Sequence, residues 1–395
     1  MNKIKKHFKG FNIILLMLSV FVSVFCLTGC SDKNEIEDIG LVVALGVDLN
    51  ENNEVVASVQ ILKSGKKSEG ANETSKTEVY VGSGDTISDA LYKLSKKASK
   101  LIKFSNEKCI IVGEKFAREG IEPVIDLSLR FADMRSTDPI LVTKGEASDL
   151  IKFKSDEIPI SAFEIDALIR RQENLCYTSK ATNRDFINNM RGESGISTCG
   201  VIGIGKSEDD EKNTLILSGS AVFKKDKLIG YMDAKETRGM QWIKGKVKAG
   251  GIVARNANGS KIGFHILRSA SKYTPSIIDK TAKIKVDIKN QTIIDEIYEA
   301  TTENMDFNRD PRIITALSKN VNFAIEEEIN SAIDVAQRVL HADIFDFGGI
   351  LYREKPNEWK VIRDKWNEIF PKISIEVNVS SQIRQTGGMS KSINN

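Results

Sequence analysis

Along this chain the spacing of apolar residues switches between two and three-to-four, and the switches mark out its elements. Leu41 to Val47 is an unbroken apolar run of strand length. After the polar Asp48–Asn53, Val55, Ala57, Val59 and Ile61 alternate with Val56, Ser58 and Gln60, which predicts a second strand and an antiparallel hairpin. Residues 63–78, rich in Ser, Lys, Glu and Gly, read as an exposed loop. From Asp85 onward, Ile87, Ala90, Leu91, Leu94, Ala98, Leu101 and Ile102 share one helical face, with Thr86 and Asp89 at capping-box spacing, so one helix is predicted through Ile102. A strand at Lys108–Val112, a helix with Pro123 in its first turn, a strand at Ile140–Thr143 and a short helix at Asp149–Phe153 follow. Ser161 and Thr182 each stand three residues ahead of an acid and open helices to Arg171 and Met190. This alternation of strand and helix argues α/β.

Gly192 to Asn213 is rich in Gly, Ser and charge, and the main boundary is placed there, between a unit at 30–205 and another at 213–388. Leu215–Phe223 and Lys227–Tyr231 predict a hairpin, Asp233 opens a helix to about Lys244, and strands are predicted at Gly251–Arg255, Lys261–Arg268 and Lys283–Lys289. In the last of these, Ile284, Val286 and Ile288 face one way and Lys285 and Asp287 the other, as in an antiparallel sheet wet on one side. Asp310-Pro311 starts the longest helix, with Ile314, Leu317, Val321, Ile325, Ile329, Ala332, Ala336 and Val339 on one stripe. A helix holding Trp359 and Trp366 leads across Pro371 to a strand in which Ile373, Ile375, Val377 and Val379 alternate with polar residues. The expected fold class is mixed α/β and α+β: a leader, then two or three compact units, with an antiparallel sheet covered by a long helix in the C-terminal half.

The leader changes the picture most. Lys3, Lys5, Lys6 and Lys9 precede a nearly wholly apolar Phe11–Phe25, which ends in Leu27-Thr28-Gly29-Cys30. That order is a positive region, an apolar region and a cleavage site. The cysteine after Leu-x-Gly makes it a lipobox, so residues 1–29 are expected to be removed as a signal peptide and Cys30 to become an acylated N-terminus. Several acyl chains, at about 0.8 kcal/mol per buried methylene, hold a protein at a bilayer far better than one. The mature product is expected to be anchored rather than spanning. The chain's net charge of +3 falls to −1 once those four lysines leave with no acid, and the remaining lysines form no basic stripe, which argues against nucleic acid.

The chemistry-bearing motifs are few. Of the cysteines beyond Cys30, Cys109, Cys176 and Cys199 are odd in number and widely spaced, which suits small apolar roles better than a disulfide or zinc framework. Asp48-x-Asn50-x-Asn52 opens like a calcium loop but lacks its Gly and its terminal Glu. Val81-Gly-Ser-Gly-Asp-Thr lacks the pattern of a phosphate loop. Ser269-Ala-Ser-Lys272 has the Ser-x-x-Lys spacing of a penicillin-interacting enzyme without its companion motifs. His265 and His341 lie in apolar periodic segments and read as packed or hydrogen-bonded, and Trp359, Trp366 and Phe370 read as core. No catalytic residue, cofactor or metal is expected.

Several segments together resemble the Ger(x)C family, the lipoprotein C subunits of nutrient germinant receptors in endospore-forming bacteria. They are the lipobox at Cys30, Glu35-Ile-Glu-Asp through Val47-Asp48, Ser105-Asn-Glu-Lys through Gly113, and Arg130-Phe through Arg135-Ser-Thr-Asp-Pro139. The most specific are Gly219-Ser-Ala-Val-Phe through Gly230, running into Glu236-Thr-Arg-Gly-Met-Gln-Trp242, and Trp366-Asn-Glu-Ile-Phe-Pro371. The resemblance covers nearly all of the mature chain; it departs at Lys355-Pro356, where the family usually has Tyr-Pro. It implies a non-enzymatic subunit on the outer face of the inner spore membrane, beside two polytopic partners of the A and B type, folded as mixed α/β units.

The leading expectation is a lipid-anchored interaction protein that docks on those partners and is required for nutrient-triggered germination. For docking, Glu236, Arg238 and Trp242 are the candidate interface, exposed within a turn or two of one helix. The alternative at this position is that Glu236 and Arg238 cap and solvate the helix while Trp242 packs inward. A solute-binding lipoprotein that captures the germinant, and an envelope hydrolase, are the rival readings of function.

Overall fold

The computed structural model describes Met17 and residues 38–63, 77–155, 158–207, 211–255, 261–279, 281–298 and 311–384. Cys30, the rest of the leader, most of the loop after residue 63 and Asp310 lie outside the described residues.

The first apolar run becomes β1 (Ile39–Leu49), the centre of a nine-stranded mixed sheet. On one side it pairs antiparallel with β2 (Val55–Lys63), which pairs with β3 (Thr77–Gly84). On the other it pairs in parallel with β4 (Leu101–Lys103) at its start and β5 (Cys109–Gly113) further on. The sheet continues through β6 (Ile140–Thr143), β7 (Ile196–Lys206), β8 (Asn213–Lys224) and β9 (Lys227–Met232).

Helices cover both faces, which is why β1, β5 and β6 read as continuous apolar runs rather than alternating ones. Against one face lie α1 (Ile87–Ser95), α2 (Glu114–Glu119), α3 (Glu122–Arg130) and α6 (Asn183–Met190), burying Leu94, Phe116, Val124 and Phe186. Against the other lie α4 (Ala147–Lys152) and α5 (Ser161–Leu175), burying Leu150, Ile151, Ile165 and Ile169.

Thr86 caps α1 through the Asp89 N–H, and Thr182 and Asp185 form a reciprocal capping box on α6, as their spacing predicts. Ser161 makes no cap bond; it is the first helical residue, and its hydroxyl meets the Gln60 side chain instead. The helix predicted through Ile102 stops at Ser95, because Leu101 and Ile102 leave the helical face to pair with β1.

The stretch proposed as the main boundary is β7, paired with β8 from Ile196–Lys224 to Lys206–Asn213. Two of its glycines make room for neighbours: a Cβ on Gly200 would meet the Thr178 hydroxyl at 2.8 Å, and one on Gly205 would run into the Ile216 side chain. The line drawn at 205–213 thus runs through a β-hairpin, and the large sheet includes residues from both sides of it.

The C-terminal half is built on a four-stranded sheet in the order β10 (Gly251–Arg255), β11 (Lys261–Ile278), β12 (Thr281–Tyr298), β13 (Ser374–Ile383). Strands β11 and β12 are each 18 residues long, so the Ser269–Lys272 tetrapeptide is strand, its hydroxyls spent on the Val247 and Trp242 carbonyls. The first three strands are antiparallel; β13 joins β12 in parallel after a crossover through the long helix. Between β9 and β10 runs α7 (Ala234–Ile243), and after β12 comes α8 (Pro311–Asp334), ending in a π turn at Val335–Val339. Leu317, Val321, Ile325, Ile329 and Ala332 of α8 close the apolar face of the sheet.

The tryptophan segment is core, as expected. It forms α9 (Phe347–Glu354), α10 (Pro356–Ile362) and α11 (Trp366–Ile369), with Trp359 and Trp366 buried edge-to-face at 5.1 Å between centroids. The Trp366 indole and the Phe347 and Gly348 amides all donate to the buried Asp343 carboxylate.

Candidate functional site

The segment singled out as an exposed contact is folded inward. Glu236 and Asp233 form a capping box at the start of α7, each side chain accepting from the other's backbone N–H at 2.8 and 2.7 Å. Arg238 is 2% exposed and Trp242 not at all. The candidate interface Glu236, Arg238 and Trp242 is therefore corrected: one residue caps its helix and the other two form a buried clamp.

The clamp joins elements far apart in the chain. Arg238 Nε donates to Glu328 Oε2 of α8 at 2.9 Å and Trp242 Nε1 donates to the same oxygen at 2.7 Å. Arg238 Nη1 donates to the Gly251 carbonyl at 2.9 Å and to the Tyr177 hydroxyl, and its guanidinium carbon lies 4.8 Å from the Tyr177 ring centroid. A planar fork with several fixed donors suits such a hub better than a lysine ammonium. Gly239 lets the helices approach: a Cβ there would stand 2.0 Å from the Glu328 carbonyl oxygen.

A chain of buried hydroxyls runs beside it. Thr237 donates to Ser220, Ser220 to Ser179, and Thr178 to the Gly219 carbonyl. Gly219 has φ +78, and a Cβ on it would meet the Met232 carbonyl at 2.5 Å, so only glycine fits. The Gly219-Ser220-Ala221 sequence thus has a physical reading: a glycine at the register irregularity of β8, a hydroxyl relay and a core methyl.

Two other segments behind the family resemblance meet at the starts of β5 and β6. Glu107 and Asp138 are both buried, and neither Glu107 oxygen has a hydrogen-bond donor among the described residues. Burial and the adjacent Asp138 carboxyl push Glu107 well above the usual carboxylate range. Asp48, at the end of β1, accepts from the Ala147 and Ser148 amides at 2.7 and 3.0 Å. Burial outweighs those bonds and raises its pKa to about 6.

The polar turn after Asp48 is held by Asn50, whose side-chain oxygen accepts from Asn52 and Glu54. Among the described residues there is no group of three or more His, Cys, Asp or Glu that could hold a metal. Cys109, Cys176 and Cys199 are buried free thiols, each with its pKa raised by burial. His341 is not packed; it is exposed, in the left-handed conformation that ends the long helix. His265 lies half-exposed on the outer face of the second sheet.

Sequence reasoning missed Tyr177, Glu328 and Gly251. None has a local signature, because each is brought to Arg238 only by tertiary structure. Cys30, the expected lipidation site, lies outside the described residues.

With this geometry in view, the likeness to known proteins falls into place over both halves. Residues 32–204 match the family model of the spore germination protein N-terminal domain, and residues 218–387 that of the spore germination B3/GerAC-like C-terminal domain. Spore germination protein KC of Bacillus subtilis (strain 168) is 26% identical over 94% of this chain and 96% of its own length. Spore germination protein B3 of the same organism is 23% identical over 94% and 98%. The crystal structure of the GerBC protein shares the fold at a TM-score of 0.53 and 18% identity, covering 86% of this chain and 96% of that one. The class is a mixed α/β spore germination protein. The chain belongs to the Ger(x)C family of spore germination proteins.

Proposed function

We infer that this chain is the lipid-anchored C subunit of a nutrient germinant receptor, held to the extracytoplasmic face of the inner spore membrane through Cys30. It works by docking on A-type and B-type polytopic subunits and carries out no catalysis. The observation that carries this reading is the match of both halves, in order, to germination-protein models. It is supported by the lipobox eight residues before Asp38, the first residue of the continuous described body. Among the described residues no helix is long and apolar enough to cross a membrane, and an acylated cysteine would supply the attachment.

Spores carrying Cys30→Ala test it. Loss of the protein from the membrane fraction and loss of nutrient-triggered germination are expected. Full retention with normal germination would refute the anchoring, and failure of the chain to co-purify with either polytopic subunit would refute the docking. Because Arg238 and Trp242 are interior, the docking surface lies on side chains other than those two.

A further inference from the structure

Where the two sheets meet, a cleft of about 380 Å³ opens between α5, β8 and the turn after α7. That size falls within the range of small-molecule sites. Ile169 and Leu217 give it an apolar floor, and Gln172 and Gln241 stand in its walls. Each glutamine keeps its side-chain carbonyl oxygen buried with no donor among the described residues. Such an acceptor is costly until something donates to it.

Lys246 and Lys248 line the same cleft, exposed and without an ion pair among the described residues. Their charges reach the Cys176 thiol, whose pKa burial nevertheless raises. That thiol donates to the Lys246 carbonyl, which leaves it a poor nucleophile and makes binding here non-covalent.

We propose that this cleft binds a small organic anion with three parts: a carboxylate set against Lys246 and Lys248, an O–H or N–H donor for Gln172 and Gln241, and a compact apolar body on Ile169 and Leu217. Each part answers a feature of the cleft: two lysines without an ion pair among the described residues, set against a single lining carboxylate, Asp185, then unused acceptors, and apolar surface at the floor. The cleft adjoins the Arg238 clamp through Gln241 on α7, so an occupant would lie across the junction of the two sheets. This capacity goes beyond docking and does not depend on it.

The test is calorimetric titration of the purified full chain in detergent with mandelate, which has a carboxylate, a hydroxyl and a phenyl ring. Phenylacetate lacks the hydroxyl and mandelamide lacks the carboxylate. Saturable binding of mandelate is expected, weakened about tenfold with each truncated probe, a difference of about 1.4 kcal/mol. Gln241→Leu and Lys246→Ala are each expected to weaken mandelate by a similar factor. Gln241 is buried and its variant risks misfolding, whereas Lys246 is exposed, so Lys246→Ala keeps the test decisive. No saturable binding of mandelate below about 10 mM, equal binding of all three probes, or mandelate binding unaffected by Lys246→Ala would each overturn the proposal. Because the measurement uses the isolated chain, its outcome is separate from that of the receptor-docking experiment.

Discussion

Arg238→Ala is the most informative single substitution in this protein. It deletes a guanidinium that is 2% exposed and leaves the Glu328 carboxylate, 15% exposed, with the Trp242 indole as its one side-chain donor among the described residues. The Gly251 carbonyl and the Tyr177 hydroxyl lose the bonds they accept from Nη1. Breaking a buried ion pair from one side costs about 3–5 kcal/mol, because the surviving charge stays buried without its partner. An orphaned carbonyl adds about 1–3 kcal/mol when counted alone. These terms overlap, so the expected loss is about 4 kcal/mol, a large share of the roughly 5–15 kcal/mol that holds a domain folded. Denaturant unfolding followed by tryptophan fluorescence reads it directly. Removing both charges in Arg238→Met/Glu328→Leu should recover much of the loss, since no unpaired charge remains. A loss below about 1 kcal/mol for Arg238→Ala, or a double variant as unstable as the two single losses added together, would refute the clamp as a buried ion-pair hub.

Gly239→Ala should push α7 and α8 apart and lower stability by about 1–3 kcal/mol, read as a fall in melting temperature. Glu107→Gln should stabilise the protein at neutral pH. A folded-state pKa raised above the unfolded value makes wild-type stability fall as pH rises past the ordinary carboxyl range, and the amide removes that slope, read as denaturation midpoints against pH. Asp343 behaves alike, with a folded pKa of about 6 against an ordinary 3.8. The fold binds the extra proton between those values, so stability falls as pH rises through that window, by about 3 kcal/mol in all. Denaturation midpoints from pH 4 to 7 should show a shallower decline in Asp343→Asn, and an unchanged slope would count against the assignment.

Legibility in the sequence followed the range of the forces involved. Elements set by local rules were readable: the Thr182 capping box, the strand at Ile140–Thr143, which matches to the residue, and the long α8 stripe. Where tertiary pairing overrode local pattern, the helix prediction overran: Leu101 and Ile102 carry helical spacing but add a short strand to β1. The Gly-rich composition around β7 marks the place where the two family matches divide, but it hides the pairing of β7 with β8. The site shows the same division. Glu236 as a helix cap is visible from its spacing to Asp233, whereas the inward turn of Arg238 depends on Glu328 and Tyr177, which no window around α7 contains. Apolar periodicity cannot tell a solvated arginine from one buried against a partner ninety residues away.

The pairing of β7 with β8 bears on how this protein can be dissected. The two family matches end at 204 and resume at 218, within the hairpin that β7 and β8 form. Cutting the gene at that seam would strip each fragment of its neighbour and bare a long row of unmatched amides, a template for aggregation. Supplied together, the same two fragments would be natural complements, able to reassemble across the missing tie as split-reporter halves do.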